Sequence, residues 1–345
     1  MNILMVASPI VSLRQPFKGG TESFLVNLSN ALCQRGHIVE VLCKDSDENN
    51  EFSTIQLDES PLRMQDNLIS EKEGQKLYQA AQFGLIDFSK YDIIHYHSYY
   101  HAIYDMALLH SVSSVVTLHA PVSKQLGLVH RLHKARSDHK YVAVSQRLRK
   151  EWEKEIGSGI DVIPNGVSFP STLSIDTLER DSSYFWMGRI NPEKDIMSAI
   201  KIARALKRKI KFAGPIEDPG YFNEQVEPLL DGNVEYLGHL KHGILFRELA
   251  KSSLFLATSR WDEPFGLTTV EALSVGVPVV GFDTAIPEEL RHEPVCQIGQ
   301  DIDDVISRIK CMPEVSREAC QSFARQFDFQ RTVSEYEKVY EQLIQ

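Results

Sequence analysis

Ser259-Arg260-Trp261-Asp262-Glu263-Pro264-Phe265-Gly266-Leu267-Thr268-Thr269-Val270-Glu271-Ala272-Leu273, followed by Gly276-Val277-Pro278-Val279-Val280, is the stretch on which the fold turns. It begins just past Leu254–Ala257, an apolar run of strand length. Pro264 and Gly266 set a turn, and a short helix is expected from near Leu267. Gly276 ends that helix and Pro278 opens the next strand. A helix N-terminus after a glycine turn offers unpaired backbone N–H groups and a partial positive charge, which suits a diphosphate. Glu263 precedes the turn and Glu271 lies about one turn into the helix, so the two can meet different parts of one ligand. The same residues also fit a plain structural turn with Glu263 exposed and Glu271 solvated.

The rhythm extends in both directions. Tyr184–Met187, Ile210–Phe212, Val234–Tyr236, Leu254–Ala257 and Val279–Gly281 read as strands with helices between them, and from about Asp301 only helices are expected. Towards the N-terminus, Asn2–Ser8 is a strand. Gly19-Gly20 leads into a helix with Phe24, Leu25, Leu28, Ala31 and Leu32 on one face, Gly36 ends it, and His37–Leu42 is the next strand. The acidic, polar sequence from Lys44 to Glu73 supports no assignment. Ile93–Tyr96, Val115–Leu118, Tyr141–Val144 and Ile160–Ile163 resume the alternation, and Pro164-Asn165-Gly166 turns the chain. Such alternation means parallel sheets covered by helices on both faces. The expected fold class is α/β, with two Rossmann-like doubly wound domains facing each other across a ligand-binding cleft. The expected bounds are 1–167 for the first domain, 168–183 for a polar linker, 184–326 for the second domain, and 327–345 for a helix packing back on the first.

Composition narrows the function. The chain has 345 residues, 43% hydrophobic and 24% charged, enough for two full cores. With 37 basic and 47 acidic residues, the formal net charge of −10 argues against nucleic acid as a general partner. No apolar run reaches the ~20 residues that span a bilayer. Met1-Asn2-Ile3-Leu4-Met5-Val6 starts a strand without a basic leader, so no signal peptide is expected. Cys33, Cys43, Cys296, Cys311 and Cys320 are scattered, as in a reduced cytoplasmic protein. The stretch 124–150 is locally basic, with Lys124, Arg131, Lys134, Arg136, Lys140, Arg147, Arg149 and Lys150 opposed only by Asp138. It reads as the charged faces of two helices, or as a peripheral contact with the anionic inner face of a membrane.

The Glu263…Glu271 pair, spaced Glu-x7-Glu and followed by Gly-x-Pro-Val-Val, resembles the donor-site motif of the family 4 retaining glycosyltransferases. That resemblance implies the GT-B fold. It makes Glu263 the donor-sugar contact and Glu271 the ribose contact, with Phe265, Gly266, Leu267 and Thr268 supplying the donor-binding loop. Gly188-Arg189-Ile190-Asn191-Pro192-Glu193-Lys194-Asp195 resembles the family's segment whose Arg and Lys neutralise the diphosphate, here Arg189 and Lys194. Two fixed cations there stabilise a leaving phosphate without proton transfer. Gly19-Gly20 resembles the glycine loop over the donor phosphates. Thr117-Leu118-His119 resembles the Thr-x-His segment whose His lies near the anomeric centre. His95 and His97 match a further family pattern, with His97 an acceptor-side candidate and structural packing an equal reading. Asn165 fits the domain-boundary turn, and Gly238-His239-Leu240 the place where backbone groups read the base.

The resemblance has limits. Ala120-Pro121 follows the Thr-x-His segment where the family commonly has an acidic residue or Gly. Asp45-Ser46-Asp47 and Asp301-Ile302-Asp303 read as a loop and a helix cap, and neither is expected to hold a metal. Walker-type, Gly-x-Ser-x-Gly and Gly-x-Gly-x-x-Gly motifs are absent, so the kinase, serine-hydrolase and typical NAD-enzyme readings lose their main support. The expected activity is metal-independent, retaining transfer of a hexose from a nucleoside-diphosphate sugar to a glycan, lipid-linked sugar or small-molecule hydroxyl. UDP-glucose or UDP-N-acetylglucosamine is favoured, no separate cofactor is expected, and the leaving phosphate is the expected base. The alternatives are a GDP-mannose-dependent mannosyltransferase, a GT-B phosphorylase or epimerase, and a non-catalytic sugar-nucleotide binder.

Overall fold

The computed structural model describes residues 1–7, 12–56, 82–99, 101, 103–104, 110–134, 138–169 and 178–345. The chain forms two compact units, Met1–Pro164 with Thr332–Gln345, and Asn165–Arg331. These bounds differ from the sequence expectation. Val167 belongs to the second unit because its N–H donates to Phe327 O (2.9 Å) and its carbonyl accepts from Phe329 N (3.1 Å). Positions 170–177 of the expected linker lie outside the described residues.

The first unit has a seven-stranded sheet in the order β5-β3-β1-β6-β7-β8-β9, with every pair parallel. Its strands are β1 (Asn2–Val6), β3 (Ile38–Cys43), β5 (Ser53–Gln56), β6 (Ile93–Tyr96), β7 (Ser114–Leu118), β8 (His139–Ala143) and β9 (Ile160–Val162). The short β2 (Ser12–Leu13) and β4 (Asp45–Ser46) pair separately. Helices α1 (Gly20–Gln34), α2 (Lys124–Lys134) and α3 (Gln146–Ile156) connect strands in this unit. The register pairs Val6 with Tyr96 and Tyr96 with Val116, so Ala7 and His97 leave the sheet at the C-terminal end of its strands, where His119 follows β7. Strand order reverses between β1 and β6, the place where doubly wound sheets bind ligands.

The second unit has a six-stranded parallel sheet in the order β12-β11-β10-β13-β14-β15. Its strands are β10 (Tyr184–Met187), β11 (Ile210–Ala213), β12 (Val234–Tyr236), β13 (Leu254–Ala257), β14 (Val279–Phe282) and β15 (Cys296–Gly299). Its helices include α4 (Ile196–Ala205), α5 (His242–Ala250), α6 (Leu267–Ser274), α7 (Ile302–Cys311) and α8 (Arg317–Ala324). Trp186, Ile200, Phe212, Leu256 and Val280 are buried in its core between sheet and helices. The reversal point here lies between β10 and β13, so the loops 188–195 and 258–266 meet.

The last helix, α9 (Phe329–Ile344), returns to the first unit from Thr332 onward. Its Tyr336 and Tyr340 are fully buried there, Glu337 pairs with Arg35 and with His37 Nε2, and Thr332 Oγ1 donates to Pro164 O (3.0 Å). All five cysteines are free. Among the described residues, no helix is long and apolar enough to cross a membrane.

Candidate functional site

In the second unit, Gly266 takes φ +77° and α6 starts at Leu267. A Cβ at Gly266 would stand 3.2 Å from Pro287 Cδ and 3.3 Å from Ala285 O, so backbone conformation and space both require glycine. The amides of Thr269 and Val270 turn back to Gly266 O. Nothing among the described residues accepts from those of Leu267 and Thr268. Phe265 is buried, its ring 5.8 Å from that of Phe327, so its side chain belongs to the core and only its backbone faces the loop.

Glu263 reaches this turn with its amide bonded to Thr284 O (2.9 Å). Its Oε1 accepts from Lys194 Nζ at 2.5 Å. Lys194 is set by the loop after β10, where Asn191 Oδ1 caps the turn by accepting from Lys194 N (2.9 Å). Glu193 O accepts from Arg260 N (2.8 Å), and Arg260 Nε reaches Asp195 Oδ2 (2.7 Å), tying the two loops together. With side-chain exposures of 20% for Glu263 and 16% for Glu271, both carboxylates are partly buried. Glu271 Oε1 lies 3.5 Å from His242 Nε2 at the start of α5.

Arg189 is also engaged. Its Nη1 is 2.5 Å from Glu217 Oε1 and its Nη2 is 3.2 Å from Glu193 Oε1. Asn191 Nδ2 donates to Glu217 Oε2 (2.5 Å). The expected phosphate cations, Arg189 and Lys194, thus face the carboxylates of Glu193, Glu217 and Glu263. Gly238, after β12, has φ +81° and its carbonyl accepts from Gly214 N (3.0 Å).

In the first unit, Gly19 caps α1 and Gly20 opens it, and neither glycine takes a positive φ. What Gly19 leaves open is space for Glu22, whose Oε2 would lie 2.8 Å from a Cβ there. Thr21 hydroxyl bonds Tyr99 hydroxyl, and Ala7, Leu13, Thr21, Glu22, Leu25, His97 and Tyr99 line a small pocket.

His97 and His119 meet directly, with Nδ1 of His97 2.9 Å from Nε2 of His119. Phe24 packs its ring against both, at 5.9 and 5.4 Å. His95 is held apart from the pocket: its Nδ1 lies 2.7 Å from Tyr340 hydroxyl and its Nε2 2.7 Å from Thr117 Oγ1, which also meets Tyr336 hydroxyl at 3.0 Å. Burial pushes all three imidazoles down, His119 to about 3 and His95 and His97 well below their usual value.

The Asp-x-Asp strings have local partners. Asp301 caps α7 by accepting from Asp304 N (2.9 Å), and Asp45 pairs with Arg14 at 3.7 Å. Three of the eight basic residues of this stretch are countered from its C-terminal flank: Arg131 by Glu155 (3.2 Å), Lys140 by Asp161 (3.1 Å) and Arg149 by Glu153 (3.9 Å). Arg136 lies outside the described residues. Leu128 and Leu132 stand exposed one turn apart on α2. Sequence reasoning missed Glu217, Glu193 and His242, the partners of its own candidates. The acidic pair Glu217-Asp218 after β11 was the one available signal.

Residues 18–169 match the family model for Glycosyltransferase Family 4, and residues 176–298 that for Glycosyl transferases group 1. A phosphatidyl-myo-inositol mannosyltransferase of Mycolicibacterium smegmatis is 24% identical over 284 residues, covering 77% of this chain and 72% of that protein. Sucrose-phosphate synthase from Thermosynechococcus elongatus superposes with a TM-score of 0.76 at 17% identity, covering 99% of both chains. Anabaena HepE, solved with UDP and glucose, superposes with a TM-score of 0.77 at 18% identity, covering 98% of this chain and 99% of that one. The two matched segments and the shared architecture make this chain a GT-B glycosyltransferase of the family 4 type.

Proposed function

We propose that the chain transfers a hexose from a nucleoside-diphosphate sugar to an acceptor hydroxyl with retention at the anomeric carbon. The observation that carries this reading is the Lys194–Glu263 contact beside the unpaired amides of Leu267 and Thr268. It sets a cation, a carboxylate and a helix N-terminus around one point, which suits a diphosphate joined to a polyhydroxyl ring. The second unit binds the nucleotide, with Arg189, Lys194 and the amides after Glu263 stabilising the leaving phosphate, while Glu263 meets the sugar and Glu271 the ribose. Gly238 borders the base. The first unit, through Gly19, Gly20, His97 and His119, serves the donor phosphates, the sugar and the acceptor. The leaving phosphate takes the acceptor proton, and neither a metal nor a further cofactor takes part.

UDP-glucose or UDP-N-acetylglucosamine is the favoured donor, a reading that the UDP and glucose complex of HepE supports. GDP-mannose is the second reading, favoured by the mannosyltransferases among the sequence relatives. The exposed Leu128 and Leu132, beside Lys124 and Arg131, suit peripheral contact with an anionic membrane. A panel of UDP-, GDP- and ADP-sugars, with and without acceptors, tests the reading through nucleotide release. One donor turning over, and faster with an acceptor, supports it. Tight binding without turnover sinks the enzyme reading in favour of a binder, and phosphate-dependent cleavage or acceptor-free sugar interconversion favours a phosphorylase or epimerase.

A further inference from the structure

The two imidazoles at the C-terminal end of the first unit's strands define which ring nitrogen works. His97 Nδ1 and His119 Nε2 are 2.9 Å apart and share one hydrogen. His97 Nε2 is closed off from solvent and has no partner among the described residues. His119 Nδ1 also has no partner there, yet it is not among the closed-off atoms. It is therefore the nitrogen of the pair open to a ligand.

Burial keeps both rings neutral, so each carries one proton. Two arrangements satisfy the shared bond. In one, His119 Nε2–H donates, which leaves His97 with an N–H sealed away from any acceptor. In the other, His97 Nδ1–H donates, which leaves only a bare lone pair sealed at His97 Nε2. An enclosed N–H without an acceptor is the rarer defect, so the second arrangement prevails.

We infer that His97 is a positioning residue that fixes the tautomer of His119, so that His119 presents a neutral Nδ1–H donor to a ligand oxygen. This rests on the glycosyltransferase reading above and sharpens it. A neutral donor can hold a hydroxyl or a developing negative charge without taking a proton, so the acceptor's proton has to go elsewhere, as it does when the leaving phosphate is the base. The remaining surroundings keep the pair in register. Phe24 packs on both rings, and the His95 ring lies 3.9 Å from that of His97, centroid to centroid. His95 is itself locked between Tyr340 and Thr117.

The test is proton–nitrogen correlation NMR of the full chain labelled at histidine, read beside transfer kinetics for the wild type, His97→Asn and His97→Leu. The expected wild-type result is His119 protonated on Nδ1. His97→Asn sets an amide N–H in the place of Nδ1–H, keeps that tautomer and retains a kcat at least about threefold above that of the Leu variant. His97→Leu removes the donor, shifts His119 towards Nε2–H and lowers kcat about tenfold or more, the equivalent of one lost hydrogen bond. The KM for the donor stays unchanged in all three. Finding wild-type His119 protonated on Nε2, or equal rates for the Asn and Leu variants, overturns the assignment. The wild-type spectrum decides the tautomer even if the Leu variant does not fold. Absence of turnover with every donor counts against the functional reading alone.

Discussion

Lys194 Nζ lies 2.5 Å from Glu263 Oε1, joining the loop after β10 to the loop after β13 where the order of strands reverses. The pair is largely shielded, so removing one member leaves the other in a partly desolvated place without its counter-charge. Lys194→Met and Glu263→Gln are expected to lower kcat/KM about a hundredfold or more while the circular dichroism spectrum stays native, because in the proposed transfer both act on charge that develops in the reaction. A loss confined to stability would show that the pair only ties the loops.

Arg189 meets Glu217 at 2.5 Å, so under the proposed function an incoming diphosphate has to compete with this carboxylate. Both side chains are more than a third exposed or close to it, and such a pair is worth about 0.2–1 kcal/mol. Glu217→Gln is therefore expected to tighten nucleoside-diphosphate binding about two- to fivefold by calorimetry. Weaker binding would mean that Glu217 orients Arg189 rather than competing for it.

Gly266 and Gly238 both have φ near the left-handed region, but only Gly266 is crowded, since nothing lies within 4 Å of a Cβ at Gly238. Gly238→Ala should lower stability by about 1 kcal/mol through backbone strain alone. Gly266→Ala should cost more than that and also weaken nucleotide binding, because it displaces the start of α6. Equal urea midpoints for the two variants would contradict this.

Much of this arrangement is legible in the sequence, and the reason is local. Gly266 and Gly276 punctuate α6, and the apolar runs of β10, β13 and β14 are buried on every residue. Strand β5 escapes because it stays largely exposed, and β15 because Gln297 and Gly299 leave it no apolar run. Lys194 and Glu263 are each readable from their own segments. The pairing of Arg189 with Glu217 is not, since it arises from two parallel strands ending on the same side of the sheet. The start of the second unit escapes for a similar reason, because Val167 is fixed by Phe327 and Phe329, far along the chain.

His95, His97, His119 and His130 are buried, and burial depresses each imidazole, His119 and His130 to about 3. The unfolded chain protonates these rings below about pH 6.5 while the folded chain does not, so stability falls as pH drops through that value. Each ring contributes a slope of about 1.4 kcal/mol per pH unit. His130→Asn removes one such ring and should flatten the stability profile between about pH 6.5 and pH 4.5 by about that amount. An unchanged slope in urea titrations would show that His130 is protonated in the folded state.

Leu128 and Leu132, 58% and 57% exposed, stand one turn apart on α2, four residues and more beyond Lys124 and beside Arg131, which pairs with Glu155. Vesicles containing anionic lipid should co-sediment the chain, and Leu128→Ser with Leu132→Ser should lower that binding about tenfold or more, since each leucine contributes about 1.5 kcal/mol or more when buried. Co-sedimentation that is absent, or unmoved by the double variant, would assign this face to solvent.

The most direct test of retaining transfer is proton NMR of the turnover mixture, started with the α-configured nucleotide sugar that the donor panel selects. The account predicts a first-formed glycoside whose anomeric proton keeps the α coupling, and loss of that product in Glu263→Gln. A first-formed β-glycoside, or an undiminished rate without Glu263, would contradict it.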